Sequence, residues 1–203
     1  KNPWEILEDK NGLCFDRKDD HCSFNKKNKK KLFLIGDSHA ESISSEFFKK
    51  LKNKKINFVD MNRTGCFYLP YFDKIDKKTK KVVENCSEDI QSNIKSELLS
   101  NKNSIVIINA LYKEYLKKTG THNHVNKKDN KTILNSFVNS LQYLLDNDLY
   151  VVLIYPIPGV GFNLPKKLMN LLPKGAVDAN NFLIENPITT AFKTYKEDNS
   201  EVF

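Results

Sequence analysis

"KLFLIGDSHAESIS" (31–44) decides how the rest of the chain is read. Four apolar residues, 32–35, run into Gly-Asp-Ser-His, and Ile43, Phe47, Phe48 and Leu51 follow at helical spacing. A short continuous apolar run ending at glycine is the pattern of a strand buried on both faces, and the spacing after it predicts a helix with no loop between. Ser38 therefore stands where a strand hands over to a helix. Asp and Ser are both preferred helix N-caps, so either residue has a purely structural reading there. The same position also suits chemistry, because free backbone N–H groups and the positive end of the helix dipole favour developing negative charge.

The alternation continues outward. "INFVDM" (56–61) predicts a second strand, and "NRTG" (62–65) a turn before Cys66. Cys86, Ile90, Ile94 and Leu98 recur every four residues and predict a helix over 86–99. "SIVIINA" (104–110) predicts a third strand, followed by a polar loop with His122 and His124. Ile133, Phe137, Leu141, Leu144 and Leu145 mark a third helix, and "YVVLIYP" (150–156) a fourth strand. A long loop with a short helix is expected over 159–175, and Pro187 opens one more helical segment. Strands alternating with helices predict an α/β fold, three-layer α/β/α, with a mostly parallel sheet. Ligand sites in such sheets lie beyond the carboxyl ends of the strands, so Ser38, Gly65, Asn109 and the loop after Pro156 are expected on one rim.

At 203 residues the chain is long enough for a sizeable core, and we read one main domain, 32–203, behind a polar lead-in, 1–31. The sequence contains no apolar run long enough to span a membrane and no signal-peptide pattern. It begins at Lys1, and we expect a longer parent protein that carries the targeting information. The net charge of +8 comes from lysines scattered among asparagines, with arginine only at Arg17 and Arg63. Readers of nucleic acid rely on arginine for bidentate contacts, so a nucleic-acid partner is not expected.

The four cysteines allow three connectivities, and the pairing that closes the shortest loops is Cys14–Cys22 with Cys66–Cys86. Two disulfides would imply an oxidising compartment such as a bacterial periplasm. Two alternatives stand beside this pairing: zinc held with His21, His122 or His124, although the usual ligand spacing is missing, and four unrelated buried thiols.

The run "LFLIGDSHA" (32–40) resembles block I of the SGNH (GDSL-like) hydrolase superfamily. Its Gly-Asp-Ser-His-Ala form resembles the SGNH domain attached to membrane acyltransferase-3 proteins, which O-acetylate bacterial surface polysaccharides. "NRTGCFYLP" (62–70) is similar to that group's block II, with its second cysteine at Cys86, and "VVLIYPIPGVGFNLPKKL" (151–168) to its late strand, Pro-x-Pro loop and proline-led helix. The resemblance implies a flavodoxin-like sheet, Ser38 as nucleophile, and an oxyanion site built from the N–H groups of Ser38 and Gly65. It offers Asn109 as the nearest amide for block III, at the position where that block would have its glycine. The superfamily's base comes from a final Asp-x-x-His block, a spacing that occurs nowhere in this sequence. We therefore expect that block beyond Phe203 and the domain to be truncated before it.

Among the histidines present, His39 on the first helical turn is expected to point away from the hydroxyl, as a packing or hydrogen-bonding residue. His122 and His124 are expected in a solvated loop on the correct rim, and His21 exposed in the lead-in. The function implied is acyl transfer to, or removal from, an O-acetylated surface polysaccharide or lipopolysaccharide. The partners implied are an acylated or acyl-accepting glycan and a membrane acyltransferase domain in the same parent chain. No motif calls for a metal or cofactor. The alternative is a non-catalytic module that binds glycan or docks on a partner through an SGNH-like rim.

Overall fold

In the computed structural model, which describes residues 7–17, 21–76, 78–116, 123–125 and 133–154, the lead-in holds more order than its polarity suggests. β1 (Glu8–Asp9) and β2 (Gly12–Leu13) form a small antiparallel hairpin, held by Arg17 bridging Asp9 and the carbonyls of Gly12 and Leu13. β3 (Cys22–Phe24) joins the main sheet. Then come β4 (Lys31–Gly36), α1 (Ser38–Leu51) and β5 (Asn57–Asp60). β6 (Asp73–Ile75) and a 3-10 turn, Glu84–Cys86, lead to α2 (Glu88–Leu99), which Ser87 caps by accepting from Ile90 N–H. β7 (Ile105–Asn109), α3 (Tyr112–Leu116), β8 (Asn123–Val125), α4 (Ile133–Asp146) and β9 (Tyr150–Ile154) complete the described elements. All of these fall in one compact unit, Lys1–Pro156.

The five-stranded sheet has the order β3-β5-β4-β7-β9, and every pair is parallel except β3 with β5. β4 lies at the centre, and from Leu32 onward all its residues are buried. Alternation of side chains along the strand sends Leu32 and Leu34 to one face and Phe33 and Ile35 to the other. The first face packs with Phe58 and Ile107 against Ile43, Phe47, Phe48 and Leu51 of α1. The second packs with Val59, Val106 and Ile108 against Ile94 and Leu98 of α2 and Leu144 of α4. The result is the expected α/β/α sandwich. Full burial of a residue such as Phe33 stabilises it by about 2–3 kcal/mol.

Two stretches depart from the sequence expectation. The polar segment after β7 carries α3, because Tyr112 and Tyr115 bury against Phe67 and Phe137, with the Phe67 and Tyr115 rings stacked at 5.0 Å. It also carries β8, which pairs antiparallel with β6 in a separate ribbon. Each element is too short for periodicity to register in the sequence. The expectations for His122, Pro156, Pro158, residues 159–175 and Pro187 lie outside the described residues.

The sheet is tightest where β4 ends. Gly36 pairs with Asn109 and has φ +155°, and a Cβ built there would sit 1.7 Å from the Asn109 carbonyl oxygen and 2.9 Å from the Ala40 methyl. Only glycine lets β4, β7 and α1 converge at this point. Gly36→Ala is therefore expected to cost more than about 3 kcal/mol. A thermal melt checks this, and an unchanged melting temperature would contradict it.

Candidate functional site

β4 and β7 are the strands between which the order of the parallel sheet reverses, so their carboxyl ends form the switch point where such folds hold ligands. Asp37 and Ser38 follow β4 there. Asp37 is the N-cap of α1, with extended backbone (φ −91°, ψ −157°), and Ser38 is the first helical residue. The structural reading of the pair thus belongs to Asp37, and Ser38 is left exposed, with neither its hydroxyl nor its N–H hydrogen-bonded among the described residues.

The Asp37 carboxylate is buried and accepts from two sides. Oδ1 takes the His39 N–H at 2.8 Å and lies 3.2 Å from His39 Nδ1. Oδ2 takes the Leu111 N–H and the Tyr115 hydroxyl, each at 3.0 Å. The N-terminus of α1 is thereby tied to the segment leaving β7. His39 is exposed and held by Asp37, a hydrogen-bonding residue as expected. Asn109 is brought to the same place, where its side-chain amide donates to the His39 carbonyl at 3.0 Å.

Gly65 arrives by extension of the β4–β5 ladder. Beyond β5, Met61 N–H donates to Leu34 and Arg63 N–H to Gly36, which carries the chain alongside the end of β4. Cys66 N–H then closes a turn onto the Arg63 carbonyl, with Gly65 at φ +55°. Four devices hold this turn. Asp16 of the lead-in accepts from the Thr64 N–H and hydroxyl and from Asn85. The Cys66–Cys86 disulfide fixes its far end. Buried Gln91 accepts from Leu69 N–H and donates to the Phe67 carbonyl. Lys74 donates its ammonium to the Gly65 carbonyl at 2.7 Å. The Gly65 N–H itself makes no hydrogen bond among the described residues.

Both expected disulfides are present, and Cys14–Cys22 staples the lead-in to β3. With all four cysteines oxidised, neither the zinc reading nor the free-thiol reading holds for them. His21 is not exposed as expected: its side chain is only 15% accessible and faces Glu97 at 3.7 Å. His124 lies not in a loop, as expected, but on β8, opposite Lys74 in the β6–β8 register.

The sequence reading missed Lys74, Asp16 and a pair of buried acids beneath the rim. Asp60 is fully buried at the end of β5, where it accepts from Ser44 and from Asn62 N–H. Burial pushes its carboxyl up to about 6. Glu41, one turn beyond Ser38, has both carboxylate oxygens sealed from solvent. Desolvation, and then the neighbouring Asp60 charge, push it up to about 7.

The family model of the SGNH domain (fused to AT3 domains) matches residues 8–202. Among solved structures, the periplasmic domain of a lipopolysaccharide acetyltransferase from Salmonella ser. Paratyphi A is similar, with a TM-score of 0.51 at 18% identity over 86% of this chain. The chain spans 63% of that structure. No curated protein matches the sequence.

Both buried acids bind protons more tightly folded than unfolded, so they favour the fold at low pH and lose that contribution as pH rises. For Glu41 the window runs from 4.5, its ordinary value, to about 7. The melting temperature is expected to fall across that window, and Glu41→Gln to flatten the fall. A slope unchanged in the variant would refute the assignment.

Proposed function

The chain belongs to the family of SGNH domains fused to AT3 domains, and on that premise we propose that it is an acyl-transfer domain with Ser38 as nucleophile. The observation that carries the reading is an exposed serine at the switch point whose hydroxyl and N–H make no hydrogen bond among the described residues, with the N–H of Gly65, in the loop after β5, equally unbonded among them. A serine at a helix N-terminus beside free donors is suited to attack a carbonyl and hold the oxyanion that results. One Asn109 N–H is committed to His39, which leaves the other for the same oxyanion.

The reaction proceeds in two displacements. Ser38 Oγ bonds to the acyl carbon, its proton passes to a base, and the donor's leaving group departs with a proton. An acceptor hydroxyl then attacks the acyl-serine, gives up its proton to the base, and Oγ leaves with a proton restored. The base is assigned by the resemblance to an Asp-x-x-His block, which we place C-terminal to Phe203. No histidine among the described residues is hydrogen-bonded to Ser38.

The acceptor proposed is a sugar hydroxyl of a bacterial surface polysaccharide or lipopolysaccharide, and the group moved is acetyl. The similar Salmonella domain, described as part of a lipopolysaccharide acetyltransferase, supports this substrate class. Its periplasmic placement, with two disulfides here, supports an extracytoplasmic site tethered through an AT3 domain of the parent protein. Among the described residues no helix is long and apolar enough to cross a membrane.

Treating the full parent protein with a fluorophosphonate and mapping the adduct by mass spectrometry tests the nucleophile. One adduct on Ser38, absent from Ser38→Ala, is expected. Glycan binding by a parent protein that never labels would overturn the reading in favour of a non-catalytic module.

A further inference from the structure

Lys74 is half-buried on β6, and its ammonium donates to the Gly65 carbonyl at 2.7 Å. Among the described residues no carboxylate forms an ion pair with it, although the charges of Asp16, Asp37 and Asp76 favour its protonated form. Burying an ammonium is costly unless it is paired, and this one is turned onto a neutral carbonyl instead. That carbonyl belongs to the residue whose N–H makes no hydrogen bond among the described residues. Lysines at the surface of this chain are numerous, and desolvation holds Lys74 below the usual lysine range, which sets it apart from them.

We propose that Lys74 is the positioning residue of the oxyanion site: with a charged donor it anchors the Gly65 carbonyl, so that the turn carrying the Gly65 N–H keeps its conformation. This rests on the reading of Ser38 as nucleophile. The turn is fixed from its other side by Asp16, which takes both donors of Thr64. Asp16 and Lys74 thus grip successive residues, one through the donors of Thr64 and the other through the acceptor of Gly65. Three contributions are separable by substitution. Arginine keeps charge and donor, glutamine keeps a donor without charge, and methionine keeps only the apolar stem.

The test is the rate of fluorophosphonate labelling of Ser38 in the full parent protein, resolved into reagent binding and the bond-forming step. Lys74→Met is expected to slow the bond-forming step about tenfold or more, below the loss known for an outright oxyanion donor, with reagent binding within about twofold. Lys74→Gln is expected between methionine and wild type, and Lys74→Arg nearest wild type. Should Lys74→Met fail to fold, as judged by its melt, the glutamine and arginine variants decide. Wild-type labelling with glutamine equal to arginine, or methionine equal to wild type, overturns the role of Lys74 alone. Wild-type protein that never labels overturns the Ser38 reading and this one with it.

Discussion

The architecture of the rim depends on one buried carboxylate. Asp37 caps α1 with one oxygen and holds the segment leaving β7 with the other. Removing one donor from such a group leaves a buried acceptor unsatisfied, at a cost of about 1–3 kcal/mol. The consequence reaches past stability, because the carboxylate takes the capping role that Ser38 would otherwise fill. With its neighbour fully engaged, the serine hydroxyl is left without a hydrogen bond among the described residues. Gly36 makes this possible from below, since any Cβ there would push β4 away from Asn109 and with it the cap from Leu111.

The Gly65 turn shows the same principle with different means. Its residues come from one loop, but its constraints come from the lead-in, from β6, from the Cys66–Cys86 bridge and from α2 through Gln91. Preorganised donors avoid reorganisation at the moment charge develops. A loop gripped from four directions is kept from folding an N–H back onto its own carbonyls.

How much of this was legible in the sequence follows the range of each signal. β4, α1, β7 and α4 carry periods of burial long enough to be read directly, and the strand-to-helix junction at Ser38 followed from them. The cysteine pairing followed from loop length. α3 and β8 are too short to carry a period and exist through contacts made elsewhere. Lys74 sits in "YFDKIDKKTKK" (71–81) among other lysines, and nothing local distinguishes it; only its hydrogen bond to a residue nine positions earlier does. Asp16 reaches forty-eight positions along the chain to Thr64, and Glu41 and Asp60 become neighbours only when α1 folds back on β5. The acids read as solvated residues until the fold removes their water.

The place of β3 has a consequence for the edge of the sheet. β5 lies between β3 and β4, both of which precede it in sequence. The first two strands of the sheet in chain order are therefore not neighbours in it, and the third lies between them. β3 itself stays at the edge of the sheet, and an edge strand of that kind invites pairing with other chains. Its brevity, at three residues, and the Cys14–Cys22 loop that tethers its first residue limit that exposure. The edge on this side of the sheet is thus kept short and pinned at its first residue by a covalent bond that forms only where thiols are oxidised.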